Sequence, residues 1–241
     1  ETYVKGVIGR FRSDDRVHSW DLYNEADNWQ LERLMSWRLG IARSTAEDLD
    51  LRYELLCSVF RWSREVDPAQ PLTVCEWQHT TPRFRSVAAE NSDIGTFHLY
   101  ANAKATEKEL LRMKAAYPGR PLLITEYLGR QLGSTFEAIL ALLKRHDVGA
   151  INWGLVQGRT QTHWPWWTWF RAWQTLCKRW FDEHPSVWFH DVFWQDGSPF
   201  SQSEVALIRK LTDGSHSFDG VQQALPHAHF WSRCTRRSSL V

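Results

Sequence analysis

Two glutamates follow short apolar segments at widely separated points of the sequence. Glu25 lies in SWDLYNEADN (19–28), directly after Asn24, and Glu126 lies in PLLITEYLGR (121–130). One carboxyl group that gives up a proton and a second, ionised carboxylate that attacks an electron-poor carbon form the pair that glycoside cleavage requires. A single strand-end glutamate more often caps a helix or pairs with an arginine. Two in matching positions make Glu25 and Glu126 candidate catalytic residues.

The elements that position these glutamates can be predicted from apolar runs bounded by turn residues. The runs alternate with helical segments, which is the pattern of parallel strands covered by helices. We predict five strands, at 17–23, 72–77, 94–100, 122–127 and 150–155. Glu25 and Glu126 then end two strands of one sheet. Their separation of 101 positions corresponds to about three βα units.

Capping boxes, in which Ser or Thr is followed three residues later by Glu, mark predicted helix starts. The four pairs are Ser44/Glu47, Thr106/Glu109, Ser134/Glu137 and Ser201/Glu204. The buried face of the first of these helices should include Leu49, Tyr53, Leu56 and Phe60, and the helix should end at 67–68. A short helical stretch, 2–11, precedes the first strand.

These elements predict an α/β protein. An open doubly wound sheet is disfavoured because no glycine-rich phosphate loop follows any strand. A (β/α)8 TIM-type barrel remains, and it is partial: barrel strands four to eight would be present, with strands one to three before residue 1. We assign 1–212 to the C-terminal part of a barrel catalytic domain. Residues 213–241, in which His227 and His229 should be solvated, are expected to form a poorly ordered tail.

Composition narrows the set of partners. The formal net charge of +1 disfavours binding to nucleic acid, and no apolar run reaches the roughly 20 residues of a transmembrane helix. The 15 tryptophans offer apolar faces that suit sugar rings, although most should be core or surface filler.

No metal, organic cofactor or protein partner is predicted, and the sequence indicates no compartment. The widely spaced cysteines are interpreted as free thiols; they are Cys57, Cys75, Cys177 and Cys234.

Four segments together resemble a known group of enzymes. They are WDLYNEADN (20–28), TFHLY (96–100), LLITEY (122–127) and INWG (151–154). They look like clan A glycoside hydrolases, close to the cellulase-like family 5 and family 2 barrels, over roughly Val4 to Leu211. The resemblance implies that Glu25, ending barrel strand four, is the acid/base and that Glu126, ending strand seven, is the nucleophile. The clan usually has proline where Ala26 stands here.

The same resemblance implies roles for four further residues. Asn24 should bind the sugar 2-hydroxyl beside Glu25. His98 and Tyr100 match a motif that contacts the nucleophile and the substrate, and Trp153 matches a tryptophan that floors a sugar subsite. Structural alternatives exist for three of them: His98 as a satisfied buried histidine, Tyr100 as a core residue and Trp153 as a plug of the barrel mouth.

Two more groups of residues are candidates for the pocket. Glu76 and Trp77 also end a predicted strand. The loop after the last strand is crowded with indole, amide and guanidinium groups that could hold a sugar, and Gln161 and Trp164 are our candidates there. A structural cover over the barrel is equally consistent with this loop. Its crowded residues are Gln157, Arg159, Gln161, His163, Trp164, Trp166 and Trp167.

The predicted function is a retaining O-glycoside hydrolase that cleaves β-linked glycans or β-glycosides by double displacement. Burial and a negative neighbour should raise the pKa of Glu25, whereas Glu126 should be ionised. The two carboxyl groups should lie about 5 to 5.5 Å apart. The alternative is a truncated, non-catalytic carbohydrate-binding remnant of a barrel, and a non-catalytic structural protein is a third possibility. In the first two cases the partner is a carbohydrate whose sugar and linkage the sequence does not identify.

Overall fold

The computed structural model describes residues 1–28, 46–168 and 184–212. Helices and short strands alternate along most of these ranges, and the predicted helix at 2–11 is confirmed. The helices are α1 (Thr2–Phe11), α2 (Ala46–Glu65), α3 (Pro82–Asn91), α4 (Ala103–Ala116), α5 (Phe136–Arg145) and α6 (Gln202–Thr212). The strands are β1 (Trp20–Asp21), β2 (Leu72–Thr73), β3 (Cys75–Glu76), β4 (Gly95–His98), β5 (Leu122–Glu126) and β6 (Gly149–Ala150).

All paired strands among the described residues run parallel. β1 pairs with β2, and a second sheet has the order β3-β4-β5-β6. Neighbours in this second sheet are also neighbours in sequence, and α3, α4 and α5 connect them in turn. Parallel strands need such crossover connections. The predicted βαβ organisation is therefore confirmed, and the carboxyl ends of the strands lie at one edge of the sheet.

One predicted strand, 72–77, serves both sheets. Its first part, β2, pairs with β1 through Leu72 and Trp20, and its second part, β3, pairs with β4 through Cys75 and Thr96. Val74 lies between the two parts and is buried. The hydrogen-bonded segments are also shorter than the predicted strands. Apolar runs predict which residues are buried, whereas the length of a hydrogen-bonded ladder depends on the neighbouring strand.

Two predicted helix starts are wrong. α4 is capped by Asn102, whose side-chain oxygen accepts the N–H of Ala105 at 3.1 Å, and Thr106 lies within the helix. α5 is capped by Thr135 and not by Ser134. Asn and Thr form the same kind of cap as Ser, so the Ser/Thr-to-Glu spacing alone did not select the correct residue.

The start of α6 agrees with the prediction, because Ser201 Oγ accepts the N–H of Glu204 at 3.4 Å. Ser44 lies outside the described residues. α3 was not predicted, although it has a recognisable signal: Thr81 precedes it and Pro82 occupies its first turn. Proline is favoured there because the first helical N–H groups have no partner within the helix.

Two apolar clusters fix the helices on the strands. One packs α4 and α5 on β4 and β5, and includes Leu110, Phe97 and Ile124. The other packs α2 and α3 on β2, and includes Leu56 and Phe60. Leu56 and Phe60 were predicted to be buried, and burying each such side chain contributes about 1.5–3 kcal/mol. Leu49 and Tyr53, on the same predicted face, are only half-buried.

Within the described ranges, none of the helices has both the length and the apolar character needed to cross a membrane. Cys57 is an exposed free thiol and Cys75 a buried one. The predicted tail, 213–241, which includes Cys234, lies outside the described residues, as does Cys177.

Candidate active site

The ends of two strands bring the candidate catalytic glutamates together. Glu126 is the last residue of β5, and Glu25 lies in the turn that follows β1. One carboxylate oxygen of each residue and a ring nitrogen of His98 all lie within 4.8 Å of one another. Inverting glycosidases need a gap of about 6.5–9.5 Å for a water molecule, whereas retaining enzymes have about 5–5.5 Å. The 4.8 Å limit applies to one oxygen of each carboxylate, and it is nearer to the range of retaining enzymes than to that of inverting enzymes.

His98, at the end of β4, lies between the two carboxylates. Its Nδ1 is 2.7 Å from Oε1 of Glu25 and 3.3 Å from Oε2 of Glu126, and the residue is buried. When Glu25 is ionised its carboxylate only accepts hydrogen bonds, so Nδ1 of His98 is the donor in this contact. Two carboxylates and an imidazole could also hold a metal ion. The 2.7 Å contact between Nδ1 of His98 and Oε1 of Glu25 is a hydrogen-bond distance.

Each carboxylate has a further donor. The Tyr100 hydroxyl donates to Oε2 of Glu126 at 2.8 Å, and the Asn28 amide donates to Oε2 of Glu25 at 2.5 Å. Sequence reasoning singled out Tyr100 but missed Asn28. The available signal was its position three residues after Glu25, because a backbone turn from Asn28 N–H to the carbonyl of Glu25 returns the side chain to the carboxylate.

The pKa values of the two glutamates are shifted in opposite directions. Burial acts to raise the pKa of Glu25, but the hydrogen bonds from His98 and Asn28 outweigh it, and the pKa lies below its ordinary value. Burial and the negative charge of Glu25 raise the pKa of Glu126 above its ordinary value, despite His98 and Tyr100. This is the reverse of the predicted order. The reason is that His98 makes its shorter contact with Glu25.

The turn at Glu25 has an unusual backbone. Its φ is 45°, in the left-handed region that residues other than glycine seldom adopt. The N–H of Glu25 donates to the sulfur of Cys75 at 3.2 Å, and that sulfur is 3.5 Å from Oδ1 of Asn24. Asn24 is exposed beside Glu25. A buried atom from β3 thus contacts both residues of the Asn-Glu pair.

Glu76 does not join the pocket, contrary to the prediction. Its buried carboxylate accepts hydrogen bonds from Tyr117 at 2.9 Å and from Arg112 at 2.6 Å, both on the α4 side of β3. Successive side chains of a strand point to opposite faces. Because Cys75 faces the turn that holds Glu25, its neighbour Glu76 faces the helices.

Trp77 contacts the segment that follows Glu25. Its Nε1 donates to Oδ1 of Asp27 at 2.8 Å, and Oδ2 of Asp27 accepts the N–H of Thr81 at 2.6 Å. Trp77 is buried. Asp27 therefore links the segment after Glu25 both to Trp77 and to the start of α3, and the buried indole does not offer an open face to a sugar.

Trp153 lies where the chain leaves β6. Its backbone N–H donates to the carbonyl of Tyr127 at 3.0 Å, next to Glu126 in sequence, and 44% of its surface is exposed. An exposed indole beside the end of β5 is available for stacking.

The other loop candidates lie farther along the chain. Gln161 is exposed in a turn, and the ring of Trp164 packs against His163. Trp166 packs its ring edge-to-face with Tyr100, with ring centroids 4.7 Å apart. Trp166 therefore contacts Tyr100, the tyrosine that donates to Glu126, and the density of tryptophans in the sequence did not indicate this contact.

A separate surface depression lies on the loops after β6 and includes neither glutamate. The depression is lined by Gln157, His184, Trp194, Gln195, Asp196 and Ser198.

The glutamate pair is itself partly accessible to solvent. The side chain of Glu25 is 17% exposed and that of Glu126 is 15% exposed.

Solved structures of glycoside hydrolases are similar to this chain, whereas no protein-family model and no curated protein matches it. A thermostable mutant of a Cellvibrio japonicus xylanase is 14% identical over 87% of this chain and 69% of its own, with a TM-score of 0.53. An endo-β-1,4-xylanase from Gloeophyllum trabeum is 15% identical over 87% and 65%, with a TM-score of 0.52. A β-glucuronidase from Faecalibacterium prausnitzii is 14% identical over 87% and 34%, with a TM-score of 0.52.

This likeness shows the fold. The chain has an α/β fold whose parallel strands form part of a (β/α)8 barrel, as predicted. The resemblance to clan A glycoside hydrolases is thereby confirmed at the level of the fold. The chain spans about a third of the length of the β-glucuronidases it resembles, 34% and 35% in two cases, and about two thirds of the xylanases.

Proposed function

We propose that this chain carries the active site of a retaining O-glycoside hydrolase acting on β-linked glycans or β-glycosides. The main support is the convergence of Glu25 and Glu126 from two strand ends, with carboxylate oxygens within 4.8 Å. Barrel enzymes place their catalytic groups at these ends. The similar structures are xylanases and β-glucuronidases, which makes glycosides the first substrate class to test.

In the proposed reaction, Glu126 attacks the anomeric carbon while Glu25 gives its proton to the departing glycosidic oxygen. A bond forms between the sugar and Glu126, and the glycosidic bond breaks. Water then attacks the same carbon, Glu25 takes a proton from that water, and Glu126 leaves as a carboxylate. Two inversions give net retention of configuration.

The shifted pKa values define how the pair must share its proton. The resting arrangement places that proton preferentially on Glu126, whereas the reaction needs it on Glu25. Interacting carboxyl groups titrate as a pair, so activity should peak between two macroscopic pKa values. The fraction of molecules with the proton on Glu25 then scales the rate. His98 contacts both oxygens and is placed to influence that fraction.

Two exposed side chains are proposed to hold the sugar. Asn24, beside Glu25, would bind the 2-hydroxyl, where hydrogen bonds strengthen in the transition state. Trp153, which is 44% exposed, would stack on the apolar face of the sugar ring. Gln161 and Trp164 remain candidates for more distant contacts.

The decisive experiment uses azide to identify each glutamate by the stereochemistry of the product. In Glu126→Gly, azide should take the place of the missing nucleophile and give the α-glycosyl azide from an activated aryl β-glycoside after one inversion. In Glu25→Ala, azide should attack the sugar–Glu126 intermediate and give the β-glycosyl azide. Product configuration is read by proton NMR.

The wild-type chain is the control in the same assay. It should release the β-configured sugar first from aryl β-xylosides, β-glucosides or β-glucuronides. Initial release of the α-anomer would overturn double displacement. A wild-type chain that binds glycans but cleaves none of these substrates would support the carbohydrate-binding alternative.

A further inference from the structure

We infer that Cys75 is a positioning residue for Glu25, an inference that rests on the proposed role of Glu25 as acid/base. Cys75 lies on β3, adjacent to the turn but far from it in sequence. Its sulfur accepts the backbone N–H of Glu25 at 3.2 Å and lies 3.5 Å from Oδ1 of Asn24. One buried atom thus contacts both the proposed proton donor and the residue proposed to bind the sugar 2-hydroxyl.

The thiol can serve both contacts at once. Burial raises the pKa of Cys75, and the negative charge of Asp21 adds to the rise, so the group stays protonated. The S–H then donates to Asn24, or to the carbonyl of Tyr23 at 3.8 Å, while a sulfur lone pair accepts from Glu25. The backbone of Cys75 is held in turn, because its N–H donates to Oδ1 of Asp21 at 3.3 Å.

The turn needs such support because of its conformation. A non-glycine residue in a sparsely populated region costs about 1–3 kcal/mol and persists only when its surroundings hold it there. The φ of Glu25 is 45°. Without the sulfur, the N–H of Glu25 loses this partner, and the carboxylate can shift relative to His98 and Glu126. A misplacement of about 1 Å can cost about 100-fold in rate.

The test compares two substitutions of Cys75 with two controls. We expect Cys75→Ala to lower kcat by about 10- to 100-fold with a smaller change in KM. Cys75→Ser should keep most of the activity, because a hydroxyl can donate and accept at the same place. Val74→Ala removes a buried side chain next to Cys75, and should lower the urea midpoint with kcat retained. Cys57→Ala removes an exposed thiol on α2 and should change neither.

A second measurement does not depend on turnover. Glutamate side chains are labelled with 13C at the carboxyl carbon, and the Glu25 signal is identified by its loss in Glu25→Gln. In Cys75→Ala the titration midpoint of Glu25 should rise, because looser contacts with His98 and Asn28 no longer lower its pKa. Cys75→Ser and Val74→Ala should leave the midpoint unchanged.

The two measurements separate the inference from the proposed function. If the wild-type chain cleaves no glycoside, the proposed function fails, while the NMR titration still decides whether Cys75 positions Glu25. The inference is overturned if Cys75→Ala matches Val74→Ala in its titration, or if Cys75→Ser loses as much activity as Cys75→Ala.

Discussion

Glu126 and Glu76 both end parallel strands of one sheet, yet their surroundings differ. Glu126 is 15% exposed and shares His98 with Glu25, another carboxylate. Glu76 is 2% exposed and pairs with Arg112. Each also accepts a tyrosine hydroxyl, from Tyr100 at 2.8 Å in one case and from Tyr117 at 2.9 Å in the other. A position at a strand end therefore does not by itself identify a catalytic carboxylate.

The difference lies in charge compensation. Arg112 and Arg85 lie 2.6 Å and 3.4 Å from Oε2 of Glu76, so its charge is neutralised. Among the described residues, neither Glu25 nor Glu126 forms an ion pair with Lys or Arg, and each has the other as a negative neighbour. Buried carboxylates without a cation have shifted pKa values, which is the property that acid–base chemistry uses.

The largest effect is expected for a substitution of Glu25, and its size should depend on whether the leaving group needs a proton. Glu25→Gln should lower kcat/KM for alkyl β-glycosides by about 10²–10⁴-fold, because their departing oxygen needs a proton. Dinitrophenyl glycosides, which leave without protonation, should be much less affected in the step that forms the intermediate. Steady-state kinetics on both substrates checks this. An equal loss on both would argue against Glu25 as the acid.

Glu76→Gln should instead reduce stability. Removing the charge leaves the Tyr117 hydroxyl and Arg112 poorly paired, and should lower the free energy of unfolding by about 2–3 kcal/mol. The partial exposure of Arg112, 28%, keeps the loss at the lower end for a buried pair. Urea unfolding measures the loss, and kcat of the folded enzyme should be retained. A large fall in kcat with unchanged stability would return Glu76 to the pocket.

Sequence patterns were sufficient to predict where the strands end, but not which face of the sheet a side chain at a strand end takes. Glu25 and Glu126 could be selected because apolar runs mark buried strands and polar residues follow them. Glu76 ends a similar run, and a shift of one residue decides which face a side chain takes. That register depends on 72–77 being divided between two sheets, which follows from long-range pairing of Leu72 with Trp20 and of Cys75 with Thr96.

The order of the pKa values of Glu25 and Glu126 could not be predicted from the sequence, for a related reason. Burial of Glu25 was foreseen, and it does act to raise the pKa. The outcome depends on whether His98 lies nearer to Glu25 or to Glu126, which is a difference of a fraction of an ångström between three elements. Likewise, the aromatic-rich loop was recognised, but the sequence did not single out Trp166, which contacts Tyr100.

The two tyrosines offer a matched test of intermediate size. Tyr100→Phe removes a hydrogen bond that lowers the pKa of Glu126, so that pKa should rise. Because Glu126 holds the last proton of the pair, the alkaline limb of the kcat/KM profile should move to higher pH. A hydrogen bond to a charged group is worth about 1.5–3 kcal/mol, so a fall of about 10-fold or more in kcat/KM is expected. Tyr117→Phe removes the equivalent bond to Glu76, and should lower the urea midpoint without moving either limb. A pH shift in Tyr117→Phe would mean that Glu76 is coupled to the reacting pair.

Asn28→Ala should give the smallest change. It tests the difference in pKa between Glu25 and Glu126. The Asn28 hydrogen bond lowers the pKa of Glu25, so its removal should raise that pKa. Glu25 has the lower pKa of the pair and loses the first proton, so the acid limb of the kcat/KM profile should move to higher pH. Because a larger protonated fraction of Glu25 offsets its looser position, kcat at the optimum should change by less than about 10-fold. Asn28→Asp adds a negative neighbour and should move the limb further in the same direction. A shift to lower pH in either variant would contradict the assignment of Glu25 as the proton donor.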